Sequence, residues 1–471
     1  MRRIGSIAAL AGVGLAASGF ALGAFDFGLQ RDFLMKIQSF ALFGVIAPVD
    51  ASSTASIDAA TANANPAALA TVAKGLKVRV VTAAANAGAN IDMMALWPDD
   101  IQPTHLIACN EQDTTNPGVQ RIRLSDGLVE TIVTGTTECD PLHRTPWGTI
   151  VFGEEDGSDG RVYELIHPLE TTGVSLDRTT GVFSGGVGAE NLTARPALGR
   201  LSFEGIAIYP SGVVYYGDEN RPSKGTPGGA YFKFVPATPF TGNAPITDLT
   251  QSPLAAGQVF GLRLGKRSGN TDYGQGTNTG RGTWVAAASS SFFPDLRAVA
   301  GDLKLTGYYR PEDAAIDLSA EAQGQVRFCA NNTGNEGDDR AFGETLCITD
   351  GTLDEALANT ATPEVQLLVV GTPELAMMDN IDNQPGRGNW VLHEDGDAPA
   401  LFGRNNDLWD CLDDGHDDDL LSDGCIRVAT LNDLNAEWTG GLFDGLGRRF
   451  FVSVQHNVTG HGVVLEISGW R

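Results

Sequence analysis

GRLSFEGIAIYPSGVVYYGDENRP, residues 199 to 222, reads as two short runs rich in β-branched and aromatic residues, parted by a Pro-Ser-Gly turn. That is the pattern of consecutive short strands. Working outward, runs of the same kind precede it from Lys77 (LKVRVVTA, THLIACN, VQRIRL, VETIVTG, GTIVFGEE, RVYELI). Others follow it to the C-terminus (GAYFKFVP, GTWVAA, QVRFCA, VQLLVVG, GNWVLHED, CIRVATL, RRFFVSVQH, GVVLEIS). The 58 glycines of 471 residues exceed the usual ~7% without a Gly-X-Y period, as many tight turns between short strands require. Even spacing and scarce helical periodicity predict one all-β domain, a β-propeller, with a β-sandwich as the second choice and helices only as insertions, for example around 310 to 323. No exact repeat is visible.

Composition narrows the partners. Against 32 Lys+Arg stand 58 Asp+Glu, a formal net charge of -26, which repels nucleic acid and anionic bilayers and suits a surface or pocket that collects hard cations. No nucleic acid is expected as a stable partner. The chain opens with Arg2 and Arg3 and an apolar run from Ile4 to Ala24, so residues 1 to 24 read as an export signal. The expected location is periplasmic or extracellular, with membrane anchoring only if that run stays uncleaved. Residues 25 to 75, including the Ala/Ser/Thr-rich SSTASIDAATANANPAALATVA, read as a linker and processing region, and 76 to 471 as the propeller, expected to act as a monomer. Six cysteines suit an oxidising compartment. Cys329 with Cys347 and Cys411 with Cys425 each bracket a short polar loop, which predicts local pairs. Cys109 and Cys139 either pair with each other or leave Cys139 as a metal-held thiolate.

Several segments put carboxylates at strand ends. TPWGTIVFGEE (145 to 155) ends on Glu154 and Glu155, costly near a core without a compensating cation, though a solvated turn fits the segment equally. In the opening stretch Glu204 precedes one strand and Asp218 and Glu219 end the next, so convergence on one rim follows if the register suits. Arg310-Pro311-Glu312-Asp313 sets a guanidinium, the group best shaped for phosphate oxygens, beside two carboxylates. MMDNIDNQPGRGNWVLHEDGD (377 to 397) gathers Asp379, Asn380, Asp382, His393, Glu394 and Asp395, a mix that hard cations favour. The acidic loop DCLDDGHDDDLLSDGC (410 to 425) does not match an EF-hand, and a late strand ends on Gln455-His456. There is no GxSxG elbow, Walker loop, HExxH or Rossmann glycine pattern, so serine-nucleophile and nucleotide-binding schemes lose support.

In this order the segments resemble the PhoX-type alkaline phosphatases, over roughly residues 75 to 471. The resemblance implies a six-bladed propeller whose central cluster of iron and calcium cleaves phosphate monoesters, with small-molecule phosphate esters as substrates. It implies Cys139, Glu204, Asp218 and Glu312 as core metal ligands, Glu155 as a calcium ligand and Arg310 as a phosphate clamp, to which the 377 to 397 segment adds Asp379 as an expected metal ligand. Asn110, with Glu111, falls where the family carries an early NHE segment. This chain departs from the family in CNEQ, in Phe203 where a histidine is usual, and in GDEN where the family has GDD. The mechanism implied is metal-ion catalysis, with a metal-held oxide or hydroxide attacking in line. Two other readings fit the same segments: a non-catalytic calcium-stabilised propeller that binds a partner, and a calcium-dependent lactonase- or phytase-like propeller.

Overall fold

The computed structural model describes residues 27–222, 228–265, 278–289, 294–334, 342–396, 398–415 and 419–471; the expected export signal lies outside them. Among the described residues the chain forms six antiparallel meanders, each opening with the strand nearest the axis. These inner strands are Ile91–Trp97, Cys139–Arg144, Phe203–Ile208, Pro311–Ile316, Met378–Asn383 and Glu437–Phe443. Each touches the next, and the sixth touches the first, so the ring closes around a central channel. The fold is all-β and propeller-like. The third and fourth meanders join at their outer edges, where Gly280–Ser289 pairs with Glu364–Val370, into one nine-stranded sheet.

Alternation explains the layering. One face of each strand packs against the meander before it and the other against the meander after it, so most strands are buried on both faces. The buried apolar residues accordingly fall into six clusters, one in each gap between neighbouring meanders. In the hairpin read first, the turn works because Gly212 takes φ +90°, a conformation that a side chain would strain, and its N–H donates to the Tyr209 carbonyl.

Two strands from the start of the described chain complete the ring. Lys77–Thr82 adds to the sixth meander along Val463–Ser468, and Ala70–Val72 adds to the fifth along Cys425–Leu431. Before them come a helix, Phe27–Phe43, and a short one, Ala59–Ala64, capped by Asp58; Phe43, Ala62 and Leu69 are buried in the cluster between the fifth and sixth meanders. This corrects the linker expected over residues 25 to 75. Small side chains that promise no strand core can still lie flat against one made by others, so packing overrides local propensity. The expected helical insertion near 310 to 323 shrinks to Leu318–Ala322, because Pro311–Ile316 is an inner strand. Cys329–Cys347 and Cys411–Cys425 are disulfides across neighbouring strands, as their bracketing predicts. No helix among the described residues is long and apolar enough to cross a membrane.

Candidate metal and phosphate site

The six inner strands share a local device. In the first five, pairing with the next strand slips just after the opening residue, at Ile91/Met94, Cys139/Leu142, Phe203/Ile206, Pro311/Ala314 and Met378/Ile381. Such a bulge re-aims the side chain at the slip. The residue it re-aims is acidic every time: Asp92, Asp140, Glu204, Glu312 and Asp379, all in or beside one cavity at the channel's end. In the sixth strand the slip comes later, at Thr439/Leu442, and Glu437 reaches the cavity instead.

A second tier comes from the strand that follows each inner one. The opening inner residue faces Asn110, Glu154, Asp218, Asn332, Glu394 or Gln455 in turn. The next residue along is Glu111, Glu155, Glu219, Thr333, Asp395 or His456. All of these except Thr333 line the cavity, and Thr333 donates its hydroxyl to Glu312. The cavity measures about 500 Å³, and nine of its lining residues are carboxylates against Arg221, Arg310 and His456.

Three of the residues singled out in the sequence face the other way, each by one position. Cys139 does not offer a thiolate: it is disulfide-bonded to Cys109 in the gap between the first two meanders, and its neighbour Asp140 enters the cavity instead. Asp218 lies outside the carboxylate groups that converge on one point; the half-buried Arg297 holds its buried carboxylate at 2.6 Å, and Glu219 is the residue that lines the cavity. Asn110 accepts from the Asn90 N–H at 3.0 Å and donates to the Pro117 carbonyl at 2.6 Å, a buried structural role, while Glu111 lines the cavity. Successive side chains on a strand point to opposite sides, so one step of parity exchanges a ligand for a wedge. Glu154 and Glu394 share the outward position of Asp218, and each likewise meets an arginine, Arg178 and Arg404. Glu155, Glu204, Asp379 and Arg310 line the cavity, and Glu312 lies beside it with Glu204 and Asp379.

Among the described residues, two carboxylate groups can each bring oxygens within 4.8 Å of one another: Asp140, Glu155 and Glu204, and Glu204, Glu312 and Asp379. Glu204 belongs to both. Asp92 Oδ1, Asp140 Oδ1 and Glu204 Oε2 are buried without a hydrogen-bond partner, a costly state that a cation relieves. The donor set is all oxygen, which fits hard cations. Burial first, and then the charge of neighbouring carboxylates, pushes Asp92, Asp140, Glu155, Glu204 and Asp379 well above the ordinary carboxylate range. Burial likewise raises Glu312 against the pull of Arg310, and Glu437 is pushed up to about 7. Asp395 is the exception: burial pushes it up, but Arg310 beside it outweighs that and holds it below its usual value. Without cations the cavity therefore holds protons.

Arg310 projects from the residue just before the fourth inner strand, at φ +55°, a left-handed conformation uncommon for a side-chain-bearing residue. Its guanidinium reaches Glu219 at 2.6 Å, Asp395 at 2.8 Å and Glu312 at 3.0 Å. The sequence signal that finds the missed residues is a pairing of two short patterns. An apolar or Cys residue followed by an acid opens the inner strand (Ile91-Asp92, Cys139-Asp140, Phe203-Glu204, Pro311-Glu312, Met378-Asp379), and a polar–acid pair closes the next (Asn110-Glu111, Glu154-Glu155, Asp218-Glu219, Glu394-Asp395).

Comparison with known proteins bears on this geometry. A family model described as alkaline phosphatase PhoX matches residues 187–457. Among solved structures the chain is similar to Pseudomonas fluorescens PhoX in complex with vanadate, a transition state analogue, at 17% identity and a TM-score of 0.61, covering 89% of this chain and 98% of that one. It is more distantly similar to a PQQ-bound aldose sugar dehydrogenase of Streptomyces coelicolor, at 12% identity and a TM-score of 0.44 over 84% of this chain and 99% of that one. A gluconolactonase of Xanthomonas campestris stands at 12% identity and a TM-score of 0.40, over 89% and 96%. No curated protein matches by sequence.

Proposed function

Because the chain belongs to the PhoX family of alkaline phosphatases, we propose that it hydrolyses phosphate monoesters of small molecules at the acidic end of its channel. In this reading Asp140, Glu155, Glu204, Glu312 and Asp379 hold hard cations, iron and calcium, and Arg310 clamps the phosphoryl group. The observation that carries it is the crowd of buried carboxylates, three with partnerless oxygens, around the Arg310 guanidinium. An anionic ester would be repelled from that cavity by its charge alone. Bound cations supply the excess positive charge and the Lewis-acid polarisation of the phosphoryl oxygens.

The chain's own groups do the rest. Glu219 and Asp395 hold Arg310 pre-oriented, so little rotamer freedom is lost when its fork turns to phosphoryl oxygens. The Thr333 hydroxyl fixes one Glu312 oxygen, and Gln455 donates to Glu111 at 2.7 Å, so the carboxylates keep their aim. The partner-binding and lactonase-like alternatives give Arg310 no task. Three disulfides support export to an oxidising compartment as part of the same reading.

The test is elemental analysis of the purified protein by plasma mass spectrometry, paired with p-nitrophenyl phosphate hydrolysis before and after chelation and after metal is restored. Iron with calcium and chelator-sensitive turnover is the expected result. Calcium alone without turnover would overturn it in favour of a structural propeller.

A further inference from the structure

We propose that His456 donates the proton that the leaving-group oxygen takes up as the ester bond breaks, and that Glu437 holds the imidazole for that task; this rests on the phosphatase reading above. The six second-tier positions are equivalent by register, and their occupants differ in what they can give. Glu111, Glu155, Glu219 and Asp395 only accept once ionised, and the Thr333 hydroxyl is committed to Glu312. His456 alone in that tier carries an N–H that can be lost and regained near neutrality.

Its setting suits a donor. His456 lies at φ +53°, which turns the side chain into the cavity mouth, and that side chain is 46% exposed while its partner Glu437 is 9% exposed. Nε2 lies 3.2 Å from Glu437 Oε1, and Nδ1 makes no hydrogen bond among the described residues. The carboxylate thus fixes one ring nitrogen and leaves the other for substrate. Glu437 is fixed in turn, because the Gly396 N–H donates to its Oε2 at 2.6 Å and also to Asp395, and Asp395 carries Arg310. Clamp and donor therefore flank one pair of carboxylates. A phosphoryl group held by Arg310 would turn its leaving oxygen toward the imidazole.

The step balances. Water supplies the attacking oxygen; the bond from phosphorus to the ester oxygen breaks with its electron pair on that oxygen; Nδ1–H passes its proton there. The neutral imidazole keeps its Nε2–H on Glu437 and recovers a proton from solvent. Glu437, Glu111 and Asp395 face His456 from the sixth, first and fifth meanders; the hydrogen bond to Glu437 first, and then the negative charge of all three, raises it above the usual histidine range against the pull of burial.

A leaving-group series tests this, since a proton donor matters most where the departing alkoxide is most basic. With cation-loaded protein, His456→Gln should slow glycerol 2-phosphate hydrolysis by about 100-fold and p-nitrophenyl phosphate, whose phenolate departs readily, by at least about ten-fold less. Equal losses on both esters would overturn the proposal. Glu437→Gln, which keeps the imidazole but removes its charge partner, should move the alkaline limb of kcat/KM on glycerol 2-phosphate to lower pH. An unmoved limb would overturn the proposal even if the His456 variant folded poorly. Loaded parent protein that turned over neither ester would instead bring down the phosphatase reading, and this inference with it.

Discussion

Cys139, Asp218 and Asn110 show at the scale of single residues how a site is misread by one position. Each belongs to a segment that does reach the cavity, and each points into a gap between meanders while Asp140, Glu219 or Glu111 points inward. Residue types were legible in the sequence; their parity was not, because parity depends on bulges that only strand pairing reveals. The contrast is testable. Cys139→Ser should leave cation content unchanged and lower stability by about 2–4 kcal/mol, read by chemical denaturation, as loss of a disulfide does. Glu204→Gln should do the opposite, cutting bound cation and turnover by more than about 100-fold with the fold retained, because Glu204 alone belongs to both carboxylate groups. A Cys139 variant that lost its metal would return the thiolate to the ligand set. Asp218→Asn should behave like the cysteine change: Arg297 is left beside a neutral partner, so stability falls while cation content stays.

Inner strands do more than carry ligands, and neighbouring ones are stitched by acids that look like further ligands in the sequence. Asp313 accepts from the Ile381 N–H at 3.2 Å, and Asp382 accepts from the Phe443 N–H at 2.6 Å, each bonding to the inner strand that follows. Burial pushes Asp382 up to about 8. Its folded value exceeds the unfolded one, so the folded state binds more protons between pH 4 and 8, and stability falls as pH rises through that window. Asp382→Asn cannot ionise and keeps an acceptor for Phe443. It should raise the melting temperature by about 2 °C at pH 9 and change it little at pH 5, read by calorimetry across pH. Equal shifts at both values would show that ionisation of Asp382 is not what costs stability. At this scale the sequence was read well where alternation and turn glycines governed. It was read poorly over residues 25 to 75, where contact with strands far along the chain decides the structure.

For the molecule as a whole, the raised carboxylates of the cavity make pH and cations compete. In chelator, Asp92, Asp140, Glu155, Glu204, Glu312 and Asp379 favour protons in the folded state, so stability should fall steadily as pH rises above about 4. Saturating calcium should flatten that fall. Melting curves from pH 5 to 9, with EDTA or with calcium, would show it, and parallel slopes would mean that the cations sit elsewhere. The closed ring is foreshadowed by many short strands, and the ordered motifs point to the PhoX family, but neither foretells how the ring is shut. Lys77–Thr82 pairs with Val463–Ser468, and Ala70–Val72 with Cys425–Leu431, so the earliest strands wait for the last. On the ribosome nearly the whole chain must emerge before the fifth and sixth meanders are complete, and at ~5–20 residues per second that is a delay of tens of seconds. From the moment they emerge until the last strand pairs, Asp379, Asp395, Glu437 and His456 have no finished wall behind them. Cations held by a site that closes this way would enter late, into a finished vessel rather than a growing one.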